Sequence, residues 1–365
     1  MTTKVYQLPV DKTGWQTEDK SGTATFTWDY DDGRDKLISL YEKGKKKQWD
    51  AAERIDWSHD PDLENPLQLP DELVPIFGSP VWDKLTPAER GNVRRNMVAW
   101  QFSQFLHGEQ GALICTAKIV ETVPDIDSKF YAATQVMDEA RHVEAYSRYL
   151  DKIEIAYPIN DNLKSLLHDV LTDSRWDMTY LGMQVLIEGL ALAAFGLIRN
   201  TARDPLGKAV NAYVMQDEAR HVMFGRLALR DYYPQLTQAE RDDREEFCAD
   251  ACYRMRDRFL GEELWQRLGY DPEECIDFVS HSQTQCVFRR LLFTRIVPTL
   301  KDVGLWGPTM RQTFADMDVI GYESTDLDAV MAEDEDVAEA IDVERAHLDR
   351  VILDRAILDG SPLAD

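Results

Sequence analysis

The sequence predicts an all-α protein built on a four-helix bundle with one long crossover and additional packing helices. Three observations predict it. The hexapeptide DEARHV occurs twice, at 138–143 and at 217–222. A glutamate stands 30 residues before each motif glutamate, Glu109 before Glu139 and Glu188 before Glu218. Each interval has a helix breaker near its midpoint, Val123-Pro124-Asp125 in the first and Arg203-Asp204-Pro205 in the second. A chain running about 15 helical residues out to such a turn and about 15 back travels roughly 22 Å each way. The paired glutamates therefore end at the same height on adjacent antiparallel helices. One offset of 79 residues maps Glu109, Glu139 and His142 onto Glu188, Glu218 and His221, so the two hairpins repeat each other.

Taken in order, residues 1–31 mix Thr, Gly, Asp and aromatics and predict an irregular or short-stranded arm. Leu37, Leu40 and Tyr41 recur at helical spacing within a helix over 34–49, whose end carries the dense basic run Gly44-Lys45-Lys46-Lys47. That run reads as a solvated helix end or, more sharply, as a docking spot for an acidic redox partner. Pro61, Pro66, Pro70 and Pro75 make 57–79 an extended linker. Thr86-Pro87-Ala88-Glu89 supplies an N-cap, a first-turn proline and an acid for the first bundle helix, which runs to Val123. The second spans 125–156. The polar segment 157–175, with a short helix at 163–171, is long enough to carry the chain across the bundle. The third bundle helix, 176–201, contains VLIEGLALAAFGL (185–197), apolar on every face except at Glu188. The fourth runs from Pro205 to Tyr232. Beyond it the pattern predicts packing helices over 237–268 and 272–297, then short helices from 301, the solvated acidic run 332–336 and a closing helix over 337–358. The chain thus divides into an arm and linker (1–80), the bundle with its packing helices (81–300) and an acidic helical extension (301–365).

Composition narrows what such a bundle does. With a net charge of −25 in 365 residues, nucleic acid and anionic membrane surfaces are repelled over most of the molecule. The five cysteines, Cys115, Cys248, Cys252, Cys275 and Cys286, form no CxxC pair. Together with an N-terminus that is unlike a signal peptide, they predict a reduced, cytoplasmic chain. The longest apolar run, 181–198, carries Gln184 and Glu188, which suits a buried bundle helix rather than a membrane span.

Each DEARHV places Glu and His three residues apart on one helical face. Two hairpins face to face gather Glu109, Glu139, His142, Glu188, Glu218 and His221 around one point. Carboxylates with imidazoles suit iron or manganese better than zinc. Four carboxylates balance two divalent cations, so the filled centre is neutral and can be buried. Asp138 and Asp217 are candidates to hold the free nitrogens of the two histidines, with Arg141 and Arg220 balancing them. Tyr146 lies four residues after His142. Ala112, Leu113, Thr116, Leu192, Phe195 and Phe224, within one or two turns of a candidate ligand, would wall an apolar pocket. His59, His107, His168, His281 and His347 lack partner spacing and are read as non-ligands, and Cys248 with Cys252 as packed thiols.

Over residues 88–235 this constellation resembles the ferritin-like di-iron carboxylate superfamily. Within it, the doubled Asp-Glu-Ala-Arg-His is similar to the hydroxylase subunits of bacterial multicomponent monooxygenases, the arylamine N-oxygenases and the ribonucleotide reductase small subunit. The resemblance implies an enzyme, a non-heme di-iron oxygenase or oxidase with two irons, or manganese and iron, and dioxygen as co-substrate. It would hydroxylate, N-oxygenate or desaturate a small, partly apolar organic substrate. No flavin, nicotinamide or iron–sulfur fingerprint is present, so electrons come from a ferredoxin or reductase; a homodimer is allowed. Two alternatives stay open, a ferroxidase or iron-handling protein and a radical-generating reductase subunit, for which Tyr146 would be the oxidisable group. The chain departs from the reductase pattern in having Glu109 where aspartate is common. It departs from the arylamine N-oxygenases in having Val214 where they carry a third histidine.

Overall fold

A computed structural model describes residues 15–18, 23–30, 33–337, 339–341 and 343. Among them there is no strand. Helix α1 (Asp35–Lys46) and the short α2 (Ala51–Arg54) and α3 (Pro80–Asp83) precede the bundle. The bundle itself is α4 (Pro87–Thr122), α5 (Ile126–Ile153), α7 (Trp176–Thr201) and α8 (Pro205–Tyr232), with α6 (Asp161–Thr172) in the crossover. Around it pack α9 (Gln238–Asp257), α10 (Glu262–Leu268), α11 (Pro272–His281), α12 (Gln283–Leu291), α13 (Ile296–Asp302) and α14 (Pro308–Asp316).

Local chemistry fixes the hairpin registers. Thr86 and Glu89 form a reciprocal capping box at the start of α4. Asp125 caps α5 through the Ser128 amide at 2.8 Å, and Asp204 caps α8 through the Gly207 amide at 2.7 Å. The proline-rich linker lies against the second turn, where the Arg203 amide donates to the Leu67 carbonyl at 3.0 Å. Helix α1 packs across α5 and α8, so the residues that follow it reach the bundle flank beside both motifs.

Four expectations change. Helix α7 is not uniform: Leu181–Ile187 is wound as a π-helix that ends directly before Glu188, a local widening typical of functional sites. The expected helix over 237–268 breaks at Arg258–Leu260, because Gly261 turns the chain with φ +72°. The expected helix over 272–297 is interrupted at Ser282, whose extended backbone separates α11 from α12, and again before α13. The acidic run 332–336 is helical rather than simply solvated: Asp334 is buried and paired with Arg295 at 2.8 Å. The expected closing helix over 337–358 falls almost entirely outside the described residues.

Helix α7 is long and apolar enough to cross a membrane on composition alone, but 78% of its most apolar window is buried inside the protein. It is the bundle's core helix.

Candidate metal centre

The six residues singled out by the 79-residue offset come together. Glu109, Glu139, His142 and Glu218 present one ligand atom each within 4.8 Å of one another, and so do Glu139, Glu188 and His221. All six are buried. Glu139 belongs to both groups: its Oε2 lies 3.3 Å from His142 Nδ1 and its Oε1 lies 3.1 Å from His221 Nδ1. Glu218 Oε1 likewise sits 3.2 Å from His142 Nδ1 and 3.5 Å from His221 Nδ1. The two glutamates of the repeated motif therefore stand between two positions, with Glu109 and Glu188 at the outer ends.

Whether these residues fit a metal pair can be tested on the atoms they leave unsatisfied. Glu139 Oε2, Glu188 Oε2, both carboxylate oxygens of Glu218 and His221 Nδ1 are buried without a hydrogen-bond partner. Five such atoms in one cluster would be costly in a folded interior. They are donors of the kind that two divalent cations would take up, and oxygen with imidazole nitrogen is the set preferred by iron and manganese. The donor set fits.

Electrostatics agree. Burial, then repulsion from Glu218, pushes the Glu109 carboxyl well above the usual range. Burial, then Glu218 and Glu139, does the same to Glu188. Burial also acts on Glu139, but the two imidazoles outweigh it and hold that carboxyl below the ordinary range. Burial opposes charge on His142 and His221; the surrounding carboxylates win and raise both. Protons and cations thus compete for the carboxyls of Glu109 and Glu188.

Around this centre the aspartates cross over. His142 Nε2 lies 3.1 Å from Asp217 Oδ2 and His221 Nε2 lies 3.3 Å from Asp138 Oδ2. Each histidine is held by the aspartate of the other motif, so both Nδ1 atoms turn inward. Arg141 Nη2 spans the two aspartates, 2.5 Å from Asp138 Oδ1 and 2.8 Å from Asp217 Oδ2. Arg220 pairs with Asp217 and lies 3.8 Å from Asp138.

Three residues escaped sequence reasoning. Gln135 Nε2 donates to Glu139 Oε1 and Glu188 Oε1, both at 2.9 Å. Its place one helical turn before Glu139 was the available signal. Gln48 donates to Asp138 Oδ1 and Trp49 Nε1 to Asp217 Oδ2, both at 2.8 Å. Both come from the segment after α1, and no spacing rule connects them to motifs some 90 and 168 residues away.

The expected pocket is only partly formed. A cavity of about 20 Å³ touches Glu109, Glu188 and Glu218 and is walled by Phe105, Ala112, Met183, Ile187, Phe195 and Arg258 among others. Of the predicted walls, Ala112 and Phe195 line it. Leu192 faces a different cavity, on the side of Arg295. Phe224 packs on Tyr131 and Tyr180, and Thr116 accepts from Gln184 at 3.4 Å. Leu113, half-buried on α4, does not line the cavity either. Being one or two turns from a ligand fixes height along a helix, not the face presented. Tyr146 is fully buried, donates to Asn211 Oδ1 at 3.2 Å and packs on Phe102, Phe105 and Phe195. Burial raises its phenol, with Glu109 and Glu218 adding to the effect. Val214 is fully buried and offers no donor.

The histidines set aside are engaged elsewhere: His59 with Asp204, His107 with the Tyr157 carbonyl and His168 with Thr17. His281 is exposed, and His347 lies outside the described residues. Cys248 and Cys252 are buried free thiols.

A four-helix bundle whose facing hairpins enclose a carboxylate–histidine cluster is the architecture of the ferritin-like di-iron carboxylate superfamily. The sequence profile of the family described as P-aminobenzoate N-oxygenase AurF matches residues 31–304. The chain belongs to that family and is an oxygen-dependent oxidoreductase. Among solved structures it is similar to an R2-like ligand-binding oxidase with an aerobically reconstituted metal cofactor after photoconversion, with TM-score 0.52 and 16% identity, covering 77% of this chain and 100% of that one. It is similar also to a point mutant of an R2-like ligand-binding oxidase with an anaerobically reconstituted Mn/Fe cofactor, with TM-score 0.50 and 18% identity, covering 77% and 96%. These likenesses establish the fold. Comparison with curated proteins gives no match.

Proposed function

We propose that the chain is a two-metal oxygenase that uses dioxygen and external electrons to oxidise a small, partly apolar organic substrate, with N-oxygenation of an amine as the favoured outcome. The observation that carries it is the inward-facing set of buried, unpartnered donor atoms shared through Glu139. Glu109, His142 and Glu218 would hold one ion with Glu139; Glu188 and His221 would hold the second with the same Glu139 and with Glu218. Two irons fit this set, and so do manganese and iron, the pair named for several of the similar structures. When bound, the metals supply the electrons and Lewis acidity with which dioxygen is activated.

The chain's own residues do the rest. Asp217 and Asp138 fix the two imidazoles with Nδ1 inward, and Arg141 balances their charge in a buried setting. Gln135 steadies Glu139 and Glu188. Phe105, Phe195 and Ile187 keep bulk water from the open side of the centre. The amine outcome is supported by the family, whose description names an N-oxygenase. Val214, in place of a third histidine, leaves the second position with fewer nitrogen donors than in the arylamine N-oxygenases. An external ferredoxin or reductase is the electron source this reading requires, and a cytoplasmic location suits five free thiols.

Loading the metal-free protein with ferrous iron under anaerobic conditions, then admitting oxygen with and without an arylamine, tests the proposal. Two irons per chain and a transient visible absorbance whose decay is accelerated by the amine support it. Uptake of many irons per chain would instead favour iron handling, and a persistent tyrosyl radical signal would favour a reductase-like subunit.

A further inference from the structure

The acidic stretch near the end of the described residues is seated beside the dense basic run. Residues 327–337 form a helix, α15, started by Asp326, whose Oδ1 accepts from the Asp328 amide at 3.0 Å and the Ala329 amide at 3.1 Å. Positions 326–337 carry six acids and no base. Only Leu327 and Asp334 of this helix are buried, so apolar packing holds it weakly. Ion pairs to three elements do the holding: Asp328 to Arg226 of α8 at 2.6 Å, Asp334 to Arg295 ahead of α13 at 2.8 Å, and Glu335 to Lys43 of α1 at 2.5 Å. Asp328 is 80% exposed, and Lys43 and Glu335 are each half-exposed. Pairs so open to water are weak and are screened by salt.

The fit beneath α15 is incomplete. It leaves a cavity of about 280 Å³ against α1 and α8, walled by Lys43, Lys47, Arg220, Met223, Met331 and Glu335 among others. Arg220 connects this cavity to the metal cluster: it pairs with Asp217, whose Oδ2 lies 3.1 Å from His142 Nε2. Four of the chain's 41 lysines and arginines fall within five positions here, Lys43, Lys45, Lys46 and Lys47. Over most of the molecule a net charge of −25 repels an acidic protein. On this face an acidic helix is already seated, which shows the charge complementarity directly.

Resting on the oxygenase reading, which requires external electrons, we propose that residues 43–47 and Arg220 form the docking surface for an acidic one-electron carrier protein, and that α15 occupies this surface as an internal competitor which the carrier displaces. Displacement exchanges the carboxylates of Asp328 and Glu335 for those of the carrier. Arg226 keeps Asp302 at 2.7 Å when Asp328 leaves, so no buried cation is stranded there. The carrier is oxidised twice per turnover. The O–O bond breaks, one oxygen atom is inserted into an N–H bond of the amine, and the other takes up the two electrons and two protons and leaves as water. Competition between α15 and the carrier ties electron delivery to the presence of the donor.

The test follows anaerobic reduction of the iron-loaded, oxidised full chain by stopped-flow absorbance, with metal content measured, for wild type, K45E/K46E/K47E and D328N/E335Q. Two reductants are compared: a reduced acidic two-iron, two-sulfur ferredoxin as the probe carrier, and reduced methyl viologen, a small molecule that needs no docking surface. Ferredoxin should reduce wild type, and the lysine reversal should slow it about tenfold or more while leaving the viologen rate unchanged. D328N/E335Q, which removes two anchors of α15, should be reduced faster than wild type by ferredoxin and equally fast by viologen. Its ferredoxin rate should also fall more steeply with salt, because in wild type salt releases α15 as well. Ferredoxin reducing the lysine reversal as fast as wild type would overturn the docking surface. Equal slowing by both reductants would overturn it too, making the lysines a support of the centre. Ferredoxin failing on wild type and on D328N/E335Q where viologen succeeds would rule out an acidic carrier, and D328N/E335Q no faster than wild type would rule out the competitor. If wild type holds no iron, or viologen cannot reduce it, the oxygenase reading fails first, which metal content and the viologen rate report separately.

Discussion

The crossed aspartates make a prediction that a simple repeat would not. Asp217 belongs to the second hairpin but holds the histidine of the first: its Oδ2 is 3.1 Å from His142 Nε2, and the same oxygen accepts from Arg141 and Trp49 at 2.8 Å each. Asp217→Asn keeps the shape and removes the charge. Loss of such an outer partner lowers metal affinity about 10- to 100-fold, or about 1.4 to 2.8 kcal/mol. That loss should be confined to the ion next to His142. A double-mutant cycle separates the possibilities, with ferrous affinity measured by anaerobic calorimetry in wild type, D217N, H142A, H221A and the two combinations. D217N should cost little further in the H142A background and its full amount in the H221A background. Unfolding followed by circular dichroism must accompany it, because Arg141 and Arg220 also lose a buried partner. The opposite pattern, with D217N additive to H142A and silent in H221A, would refute the crossed arrangement.

Other outcomes follow from the same geometry. Glu109 and Glu188 are held above the ordinary carboxyl range in the metal-free protein, so they carry protons that cations must displace. Metal uptake should therefore release protons and tighten as pH rises through the raised values; calorimetry in buffers of different ionisation enthalpy reads the proton count, and uptake without release would contradict the assignment. Glu139→Ala should abolish binding of both ions, whereas Glu188→Ala should spare the one beside His142, which iron-to-protein ratios after desalting will show. A Cβ at Gly225 would lie 2.6 Å from Gln184 Cβ in the π segment. Gly225→Ala should thus cost about 1 to 3 kcal/mol of stability through overpacking, visible as a lowered denaturation midpoint. Thr86→Ala should remove about 0.5 to 2 kcal/mol by breaking the α4 capping box and leave metal stoichiometry unchanged.

Much of the centre was legible because helices convert sequence distance into height. Two Glu-x-x-His motifs, two glutamates 30 residues upstream and two breakers at the midpoints leave little freedom in where the six side chains meet. Capping residues such as Thr86, Asp125 and Asp204 are local signals too, since each satisfies amides within its own first turn. Helix ends in the outer layer were less legible: the break at Gly261 depends on a backbone conformation that glycine permits but does not compel.

What sequence alone determined here is the all-α fold, the doubled hairpin and the identity of the six clustered residues, because each follows from periodicity within one or two helices. Only the tertiary structure decided which aspartate holds which histidine, that Gln48 and Trp49 reach the two aspartates, which apolar residues face the cavity, and that Arg258 comes to its wall. Those depend on the rotation of one helix about its axis against another and on where chain outside the bundle returns. Side-chain packing across many elements at once sets both, and no single stretch of sequence encodes them.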